Sequence, residues 1–181
     1  IRNRESRRSR WCKSRKAMRT ITIFKECETM YYIGIDPGQK GGIAVINERN
    51  ALLDVFPYSN TKLFDIAKFM SSVDENVGVM CFIEDVHSMP KQGVASTFAF
   101  GKGFGYILGV VESSGIPYQL VSPNKWKKHF GLNSDKNKSV EMAKRFFPTQ
   151  TFLPTSRCTK PSDGMAEACL IALYGKRTDR G

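Results

Sequence analysis

The sequence has few of the residues that hold zinc or build disulfide scaffolds. It contains two histidines and five cysteines in 181 residues, and no two cysteines form a Cys-x-x-Cys pair. Structural zinc sites usually need such pairs, or His–Cys clusters, so a zinc-binding protein is disfavoured. The odd number of cysteines, without framework spacing, predicts free thiols in a reducing compartment.

Long apolar runs are also lacking. No uninterrupted run approaches the roughly 20 residues of a membrane-spanning helix, so no membrane partner is expected. The hydrophobic share of 41% is nevertheless large enough for one domain with a sizeable core.

Acidic residues are scarce relative to basic ones. The formal net charge is +11, with 28 Lys and Arg against 17 Asp and Glu. Residues 1–29 hold ten basic and three acidic residues, and residues 30–181 hold eighteen and fourteen. This balance favours a polyanionic partner, most simply nucleic acid. The alternative is that the basic charge serves only solubility.

Residues 1–29 form a basic tail that is interpreted separately from the domain predicted over residues 30–181. The tail is rich in Arg and Ser, which predicts disorder in the unbound protein. It could be an organellar transit peptide or a basic arm that grips nucleic acid. It could also be upstream sequence, with the natural protein starting at Met30.

The most informative stretch is Tyr31 to Ile46. An apolar strand ends in Asp36, a turn rich in Gly and Pro follows, and a second apolar strand begins near Gly42. A carboxylate at the end of a buried strand is costly unless something pairs with it. The usual partners are a metal ion, or a phosphate reached through a metal or water. The stretch therefore predicts an active site.

From Met30 onward, three hairpin-like strands precede strands that alternate with helices. This order predicts an α/β fold with a mixed central sheet of about five strands flanked by helices. Asn60 or Thr61 is expected to cap the first helix, and Asp163 or its neighbour Ser162 the last. Strands are predicted near 31–36, 42–47, 51–57, 77–86 and 117–121, and helices over 61–72, 96–113, 123–128, 135–147 and 163–175.

Four carboxylates are candidates for one site. Glu84 lies near the end of the predicted central strand, and neighbouring strand ends would bring it close to Asp36. Asp163 and Glu167 are four residues apart, on one face of the last helix. Converging carboxylates repel, so divalent cations would have to compensate, and hard oxygen ligands favour Mg²⁺ or Mn²⁺. Alternatively, Asp163 is only a helix cap and Glu167 only a solvent-facing residue.

Residues 123–130 and 135–139 concentrate five lysines and Trp126, which predicts a surface for phosphate contact. Trp126 could instead pack in the core while some of the lysines face DNA. Gly101, Gly105 and Gly109 share one helix face, which would allow close approach of DNA or of a second subunit, or close packing on the sheet. The candidate DNA-binding lysines of this segment are Lys125, Lys127, Lys128, Lys136 and Lys138.

Over residues 30–176 the chain resembles the RuvC-type Holliday junction resolvases of the ribonuclease H-like superfamily, particularly the shorter phage and bacterial relatives. The resemblance depends on four motifs in order: Ile33-Gly34-Ile35-Asp36-Pro37-Gly38, Ile83-Glu84-Asp85-Val86, the Gly101/Gly105/Gly109 helix, and Asp163-Gly164-Met165-Ala166-Glu167-Ala168. The first motif alone also occurs in actin-like ATPases, but the ordered set is more specific.

The resemblance implies a ribonuclease H-like fold and a homodimer that binds a four-way DNA junction and nicks two strands symmetrically. It implies Mg²⁺ held by Asp36, Glu84, Asp163 and Glu167, and a catalytic role for Lys138, with Lys125 or Lys127 matching a second functional lysine. His87, Met89 and Lys91 are expected to contact the junction, with His87 where relatives place an aromatic residue. The expected location is the cytoplasm of a bacterium or a phage-infected cell, or an organelle if the tail is a transit peptide.

The sequence departs from the family at the last motif, and rival functions stay open. Many relatives carry an acid or His where this chain has Gly164, and many carry Asp where it has Glu167. The rivals are a related nuclease for other branched DNA or RNA–DNA hybrids, a junction-binding protein without catalysis, and an actin-like ATPase fragment. The last is disfavoured because no second Asp-Gly phosphate-binding hairpin follows.

Overall fold

A five-stranded sheet forms the middle of the protein in a computed structural model that describes residues 29–73, 76–87, 93–133 and 135–179. The strand order is β3-β2-β1-β4-β5. Except for Thr29, the basic tail lies outside the described residues. The elements in chain order are β1 Thr29–Asp36, β2 Gly42–Asn47, β3 Leu52–Pro57, α1 Asn60–Ser71, β4 Val77–Glu84, α2 Val94–Ser113, β5 Tyr118–Val121, α3 Pro123–His129, α4 Lys136–Phe146 and α5 Asp163–Thr178.

The sheet is mixed because two kinds of connection build it. Short turns join β1, β2 and β3, so these strands are antiparallel. Helices α1 and α2 provide the longer crossovers, so β4 runs parallel to β1 and β5 parallel to β4. The predicted α/β architecture with a mixed five-stranded sheet flanked by helices is confirmed.

Strand β1 is buried on both faces because helices cover both sides of the sheet. Side chains alternate along a strand, so Ile33 and Ile35 join a core shared with α1 and α2. Tyr32 belongs to a second core, which includes α5 together with residues of α3 and α4. The apolar run of β1 therefore reflects a central position in three layers.

Helix α5 approaches β1 so closely that only glycine fits at Gly34. A Cβ atom at Gly34 would lie 2.6 Å from the backbone nitrogen of Ala172 and would also clash with the carbonyl oxygen of Ala168. Real Cβ atoms essentially never approach other heavy atoms that closely. The missing side chain thus sets the distance between the helix and the sheet.

The N-terminus of α5 is held by a second glycine contact. Gly164 forms an isolated parallel bridge with Gly41 in the β1–β2 turn. A Cβ atom on Gly164 would lie 2.6 Å from the Cα atom of Gly41, and one on Gly42 would lie 2.6 Å from the Cα atom of Met165. The start of α5 is therefore held against the turn that follows Asp36.

Helix starts differ slightly from the prediction. Ser59, and not Asn60 or Thr61, caps α1, since its side chain accepts a hydrogen bond from the Lys62 amide. Ser162 caps α5, and its hydroxyl oxygen accepts from the Met165 amide at 3.3 Å. Strand β4 ends at Glu84, two residues before the predicted end.

Helix α2 is largely exposed although it is apolar. Ile107 and Val111 are its buried residues, whereas Val94 is 88% exposed and Phe98 is 74% exposed. By length and composition alone, α2 is long and apolar enough to cross a membrane. This was not predicted from the sequence, because only uninterrupted apolar runs were considered. One such helix is weak evidence for a membrane span, because helices of soluble proteins pass the same test.

The Gly164 contact predicts a strong effect of a single methyl group. Gly164→Ala should lower the free energy of unfolding by about 1–3 kcal/mol, because the new Cβ atom meets backbone that cannot rotate away. Urea unfolding measures this change. The matched control is Gly103→Ala in α2, where a Cβ atom meets nothing within 4 Å and stability should stay equal or rise by up to about 1 kcal/mol. Equal losses of unfolding free energy in both variants would contradict the close contact between Gly164 and Gly41.

Candidate active site

Asp36 and Glu84 end two neighbouring parallel strands. Ile35 pairs with Ile83 in the β1–β4 register, so the next residue of each strand is a carboxylate at the same edge of the sheet. Alternation gives Asp36 the same face as Gly34, and Glu84 the same face as Phe82, which packs in the α5 core. Both carboxylates therefore lie on the α5 side of the sheet.

Helix α5 supplies the other two carboxylates. Asp163 is its first residue, and Glu167 follows one turn later. Asp163 is not the helix cap, because Ser162 takes that role. Glu167 is not solvent-facing, since it is only 8% exposed. The alternatives that Asp163 is only a helix cap and that Glu167 is only a solvent-facing residue are thus wrong.

Asp36 lies within electrostatic range of the other three carboxylates. Burial is the main cause that raises the pKa of Asp36 from its ordinary 3.8 to about 7. The Gly38 amide, which donates to Asp36 Oδ1 at 3.0 Å, opposes this shift. The negative charges of Glu84, Glu167 and Asp163 increase it. Such a concentration of acids at one sheet edge is typical of a site that works with a cation.

Glu84 is held by a residue from the core. Burial raises its pKa, while a hydrogen bond from the Trp126 indole lowers it. Trp126 Nε1 donates to Glu84 Oε1 at 3.0 Å, although the two residues are 42 positions apart. Trp126 is completely buried, so the alternative that it packs in the core is correct. Its hydrogen bond to a candidate site residue was not predicted.

Glu167 has two partners of different charge. The Ser139 hydroxyl donates to Glu167 Oε1 at 2.9 Å, and Lys127 Nζ lies 3.6 Å from the same oxygen. Lys127 Nζ also lies 5.0 Å from the centre of the Trp126 ring. Sequence reasoning missed Ser139, because a serine inside an amphipathic helix is too common to signal a site.

The lysines divide into one that reaches the carboxylates and others that do not. Lys127 contacts Glu167, whereas Lys125 and Lys128 are exposed on α3. Lys138 is exposed on α4, and within the described part of the chain no ion pair joins it to Asp36, Glu84 or Glu167. Its catalytic role stays a prediction. The side chain of Lys136 lies outside the described part.

The predicted junction-contacting residues after β4 are only partly described. His87 is exposed, and its Nε2 atom lies 3.5 Å from Asp85 Oδ2. It borders an open pocket together with Phe100 and Asn124. Met89 and Lys91 lie outside the described residues.

The donor set fits a hard divalent cation by its chemistry but is not closed around one. Carboxylate oxygens are the ligands that Mg²⁺ and Mn²⁺ prefer, and a cation would relieve the repulsion around Asp36. Among residues 29–73, 76–87, 93–133 and 135–179, however, no three His, Cys, Asp or Glu side chains form a ready metal-binding group. The carboxylates would have to draw closer around a bound ion.

Comparison with solved structures identifies the architecture. A Thermus thermophilus RuvC structure matches with a TM-score of 0.53 and 18% identity, covering 84% of this chain and 95% of that one. The chain has a RuvC-like fold. A second match is T. thermophilus RuvC in complex with a Holliday junction substrate, with a TM-score of 0.54, 16% identity and coverage of 84% and 96%. Comparison with models of protein families and with curated proteins gives no match. At these identities the RuvC likeness concerns the fold.

The raised pKa of Asp36 predicts how stability depends on pH. An acid whose pKa is near 7 in the folded state and near 3.8 when unfolded destabilises the fold progressively as pH rises between these values. Asp36→Asn cannot ionise and keeps an oxygen for the Gly38 amide. Without divalent metal, it should therefore exceed the wild type by about 2–4 kcal/mol in free energy of unfolding at pH 8 and match it near pH 4. Urea titrations in EDTA across this range measure the difference.

The matched control is Asp65→Asn, an exposed carboxylate on α1. It should show no pH-dependent gain. If Asp36→Asn is equally stable or less stable than the wild type at pH 8, the burial of a titrating Asp36 is contradicted.

Proposed function

We propose that this protein is a divalent-metal-dependent endonuclease that resolves four-way DNA junctions by phosphodiester hydrolysis. The observation that carries the proposal is the meeting of two strand-end carboxylates with two helix carboxylates on a RuvC-like fold. Burial raises the pKa of Asp36, and the negative charges of the other three carboxylates add to this effect. This arrangement concentrates negative charge where a cation would be needed.

Asp36, Glu84, Asp163 and Glu167 would hold Mg²⁺ or Mn²⁺. When bound, such ions supply activation of a water molecule and stabilisation of the leaving oxygen. The side chains of this protein would position the ions and the phosphate. The strand ends and α5 orient the carboxylates, and Lys127 adds a positive charge beside Glu167 that a phosphate oxygen can approach. Hydrolysis would break the P–O3′ bond and leave a 5′-phosphate and a 3′-hydroxyl.

The neighbouring surface suits a DNA backbone. Helix α3 carries Lys125, Lys127 and Lys128, and a pocket beside it is lined by Lys127, Lys128 and Asn133. Cationic and amide side chains of this kind bind phosphate oxygens without reading sequence. The description of one similar structure as a complex with a Holliday junction supports the choice of branched DNA as the partner.

The exposed face of α2 supports a homodimer. Phe98 and Val94 leave apolar area open, and Cβ atoms placed on Gly101 and Gly105 would meet nothing within 4 Å. An apolar helix with small residues lets a second helix approach closely. A symmetric pair of such helices would set two active sites at a defined separation, as paired nicking requires.

Junction cleavage tests the proposal directly. The wild-type protein with Mg²⁺ should make paired symmetric nicks in a labelled synthetic four-way junction, and EDTA should abolish them. Asp36→Asn and Glu84→Gln should each lower the cleavage rate by about a hundredfold or more while junction affinity persists. Denaturing gels measure cleavage, and gel-shift assays in Ca²⁺ or EDTA measure binding.

The controls separate the rival functions. Asp65→Asn should cleave like the wild type. Equal cutting of flaps or RNA–DNA hybrids would indicate a broader nuclease. Tight junction binding with no cutting in any metal would favour a non-catalytic binding protein.

The dimer can be tested by placing a charge on α2. Phe98→Glu should raise the dimer dissociation constant at least tenfold, because the carboxylate would be buried without a partner in the interface. Analytical ultracentrifugation gives the constant. Phe64→Glu on α1, where the phenylalanine is 54% exposed, is the control and should leave association unchanged. A wild-type protein that stays monomeric at all concentrations refutes the α2 interface.

A further inference from the structure

The two glutamates of the candidate site are each held through one oxygen by a buried, uncharged hydrogen-bond donor. We propose that Trp126 and Ser139 are positioning residues, which orient Glu84 and Glu167 so that their second oxygens face the cation site. This inference rests on the proposed function, because it assigns these residues to the same site. It concerns side chains outside the set of carboxylates and lysines discussed above.

Trp126 is well suited to fix a carboxylate. Its indole has a single polar atom, Nε1, which can only donate, and it donates to Glu84 Oε1 at 3.0 Å. The ring is completely buried among residues of the α5 core, including Phe82 and Phe130. A donor held in the core limits the orientations of Glu84 and so lowers the entropic cost of ordering this side chain when a ligand binds.

Ser139 has the same relation to Glu167. It is 1% exposed, and its hydroxyl donates to Glu167 Oε1 at 2.9 Å across the contact between α4 and α5. Both donors lie on elements that contribute no carboxylate, since Trp126 belongs to α3 and Ser139 to α4. Both helices contact α5, and each contributes one hydrogen-bond donor to a glutamate of the site.

The second oxygen of each glutamate is left for a ligand. Neither Glu84 Oε2 nor Glu167 Oε2 takes part in a hydrogen bond or ion pair within the described residues. Every fully buried polar side-chain atom there does have a hydrogen-bond partner. It follows that neither Oε2 atom is fully buried, although the residues are only 7% and 8% exposed. What little of these side chains reaches solvent includes the unpartnered oxygens.

The neutrality of the donors matters for the chemistry. A cationic partner reduces the negative charge that a divalent cation needs, and Glu167 already has one in Lys127, whose Nζ atom lies 3.6 Å from Glu167 Oε1. The Trp126 indole and the Ser139 hydroxyl orient the two glutamates without removing further charge. Partners of metal-binding side chains commonly change metal affinity by 10- to 100-fold when removed. The alternative is that both contacts only satisfy buried polar atoms in the core.

Manganese binding distinguishes the two explanations. In the full-length protein, Ser139→Ala should raise the Mn²⁺ dissociation constant by about 10-fold, and a Trp126 replaced by its benzothiophene analogue, which keeps the shape but lacks the N–H, should do the same. Ser139→Thr, which keeps the hydroxyl, should restore affinity to within about threefold of the wild type. Electron paramagnetic resonance of free Mn²⁺ gives the constants without requiring cleavage.

The control is Ser114→Ala, which removes a half-buried hydroxyl that bonds the Val110 carbonyl far from the site. It should leave Mn²⁺ affinity unchanged. Thermal unfolding in EDTA checks that the variants are folded, and Trp126→Phe serves as a second variant if the analogue unfolds the protein. On the junction, kcat should fall while KM stays within about twofold.

The outcomes separate this inference from the proposed function. Weaker Mn²⁺ binding in the donor-deleted variants, with stability in EDTA retained, supports positioning even if the junction is not the substrate. Unchanged Mn²⁺ affinity and unchanged kcat in both variants overturn positioning and leave the nuclease proposal intact. A wild-type protein that binds no Mn²⁺ overturns both.

Discussion

The close contact between the start of α5 and the β1–β2 turn is the constraint on which the candidate site depends. Gly164 lies against the backbone of Lys40 and Gly41, and Gly42 lies against the backbone of Met165. No side chain of any size fits between these segments. Because α5 begins there, Asp163 and Glu167 are brought to the sheet edge where Asp36 ends β1. Gly41, Gly42 and Gly164 are therefore required by this close packing.

Gathering these carboxylates is electrostatically unfavourable and lowers the stability of the fold. Four carboxylates share one edge, and burial leaves Asp36 with a pKa near 7, so part of the population is protonated at neutral pH without a cation. The protein offsets the cost locally with the Gly38 amide, the Trp126 indole, the Ser139 hydroxyl and Lys127. Sites that bind ligands commonly carry such a stability cost, because the groups are arranged for the ligand and not for the empty fold. The glycine at position 164 leaves the candidate site with an acid at the start of α5, because Asp163 precedes it.

Two exposed surfaces belong to helices near this edge: the basic surface of α3 and the apolar face of α2. Lys127 of α3 contacts Glu167, and Lys125 and Lys128 are exposed on the same helix. Helix α2 follows β4, the strand that ends in Glu84, and leaves an apolar face open. The proposed phosphate-binding and dimerisation surfaces therefore belong to helices that adjoin the strand ends carrying the acids.

The sequence by itself determined the order of elements and the identity of the acids. Continuous apolar runs, turns rich in Gly and Pro, and helix-capping residues are local signals, so the α/β class could be predicted, and the element bounds to within three residues. Asp36 and Glu84 could be predicted as site residues, because a carboxylate that ends a buried strand conflicts with its surroundings. Only the tertiary structure decided which neutral side chains hold Glu84 and Glu167. Trp126 and Glu84 are 42 residues apart, and Ser139 and Glu167 are 28 apart. A hydrogen bond over that separation depends on how the helices pack, and no local pattern in the chain encodes it.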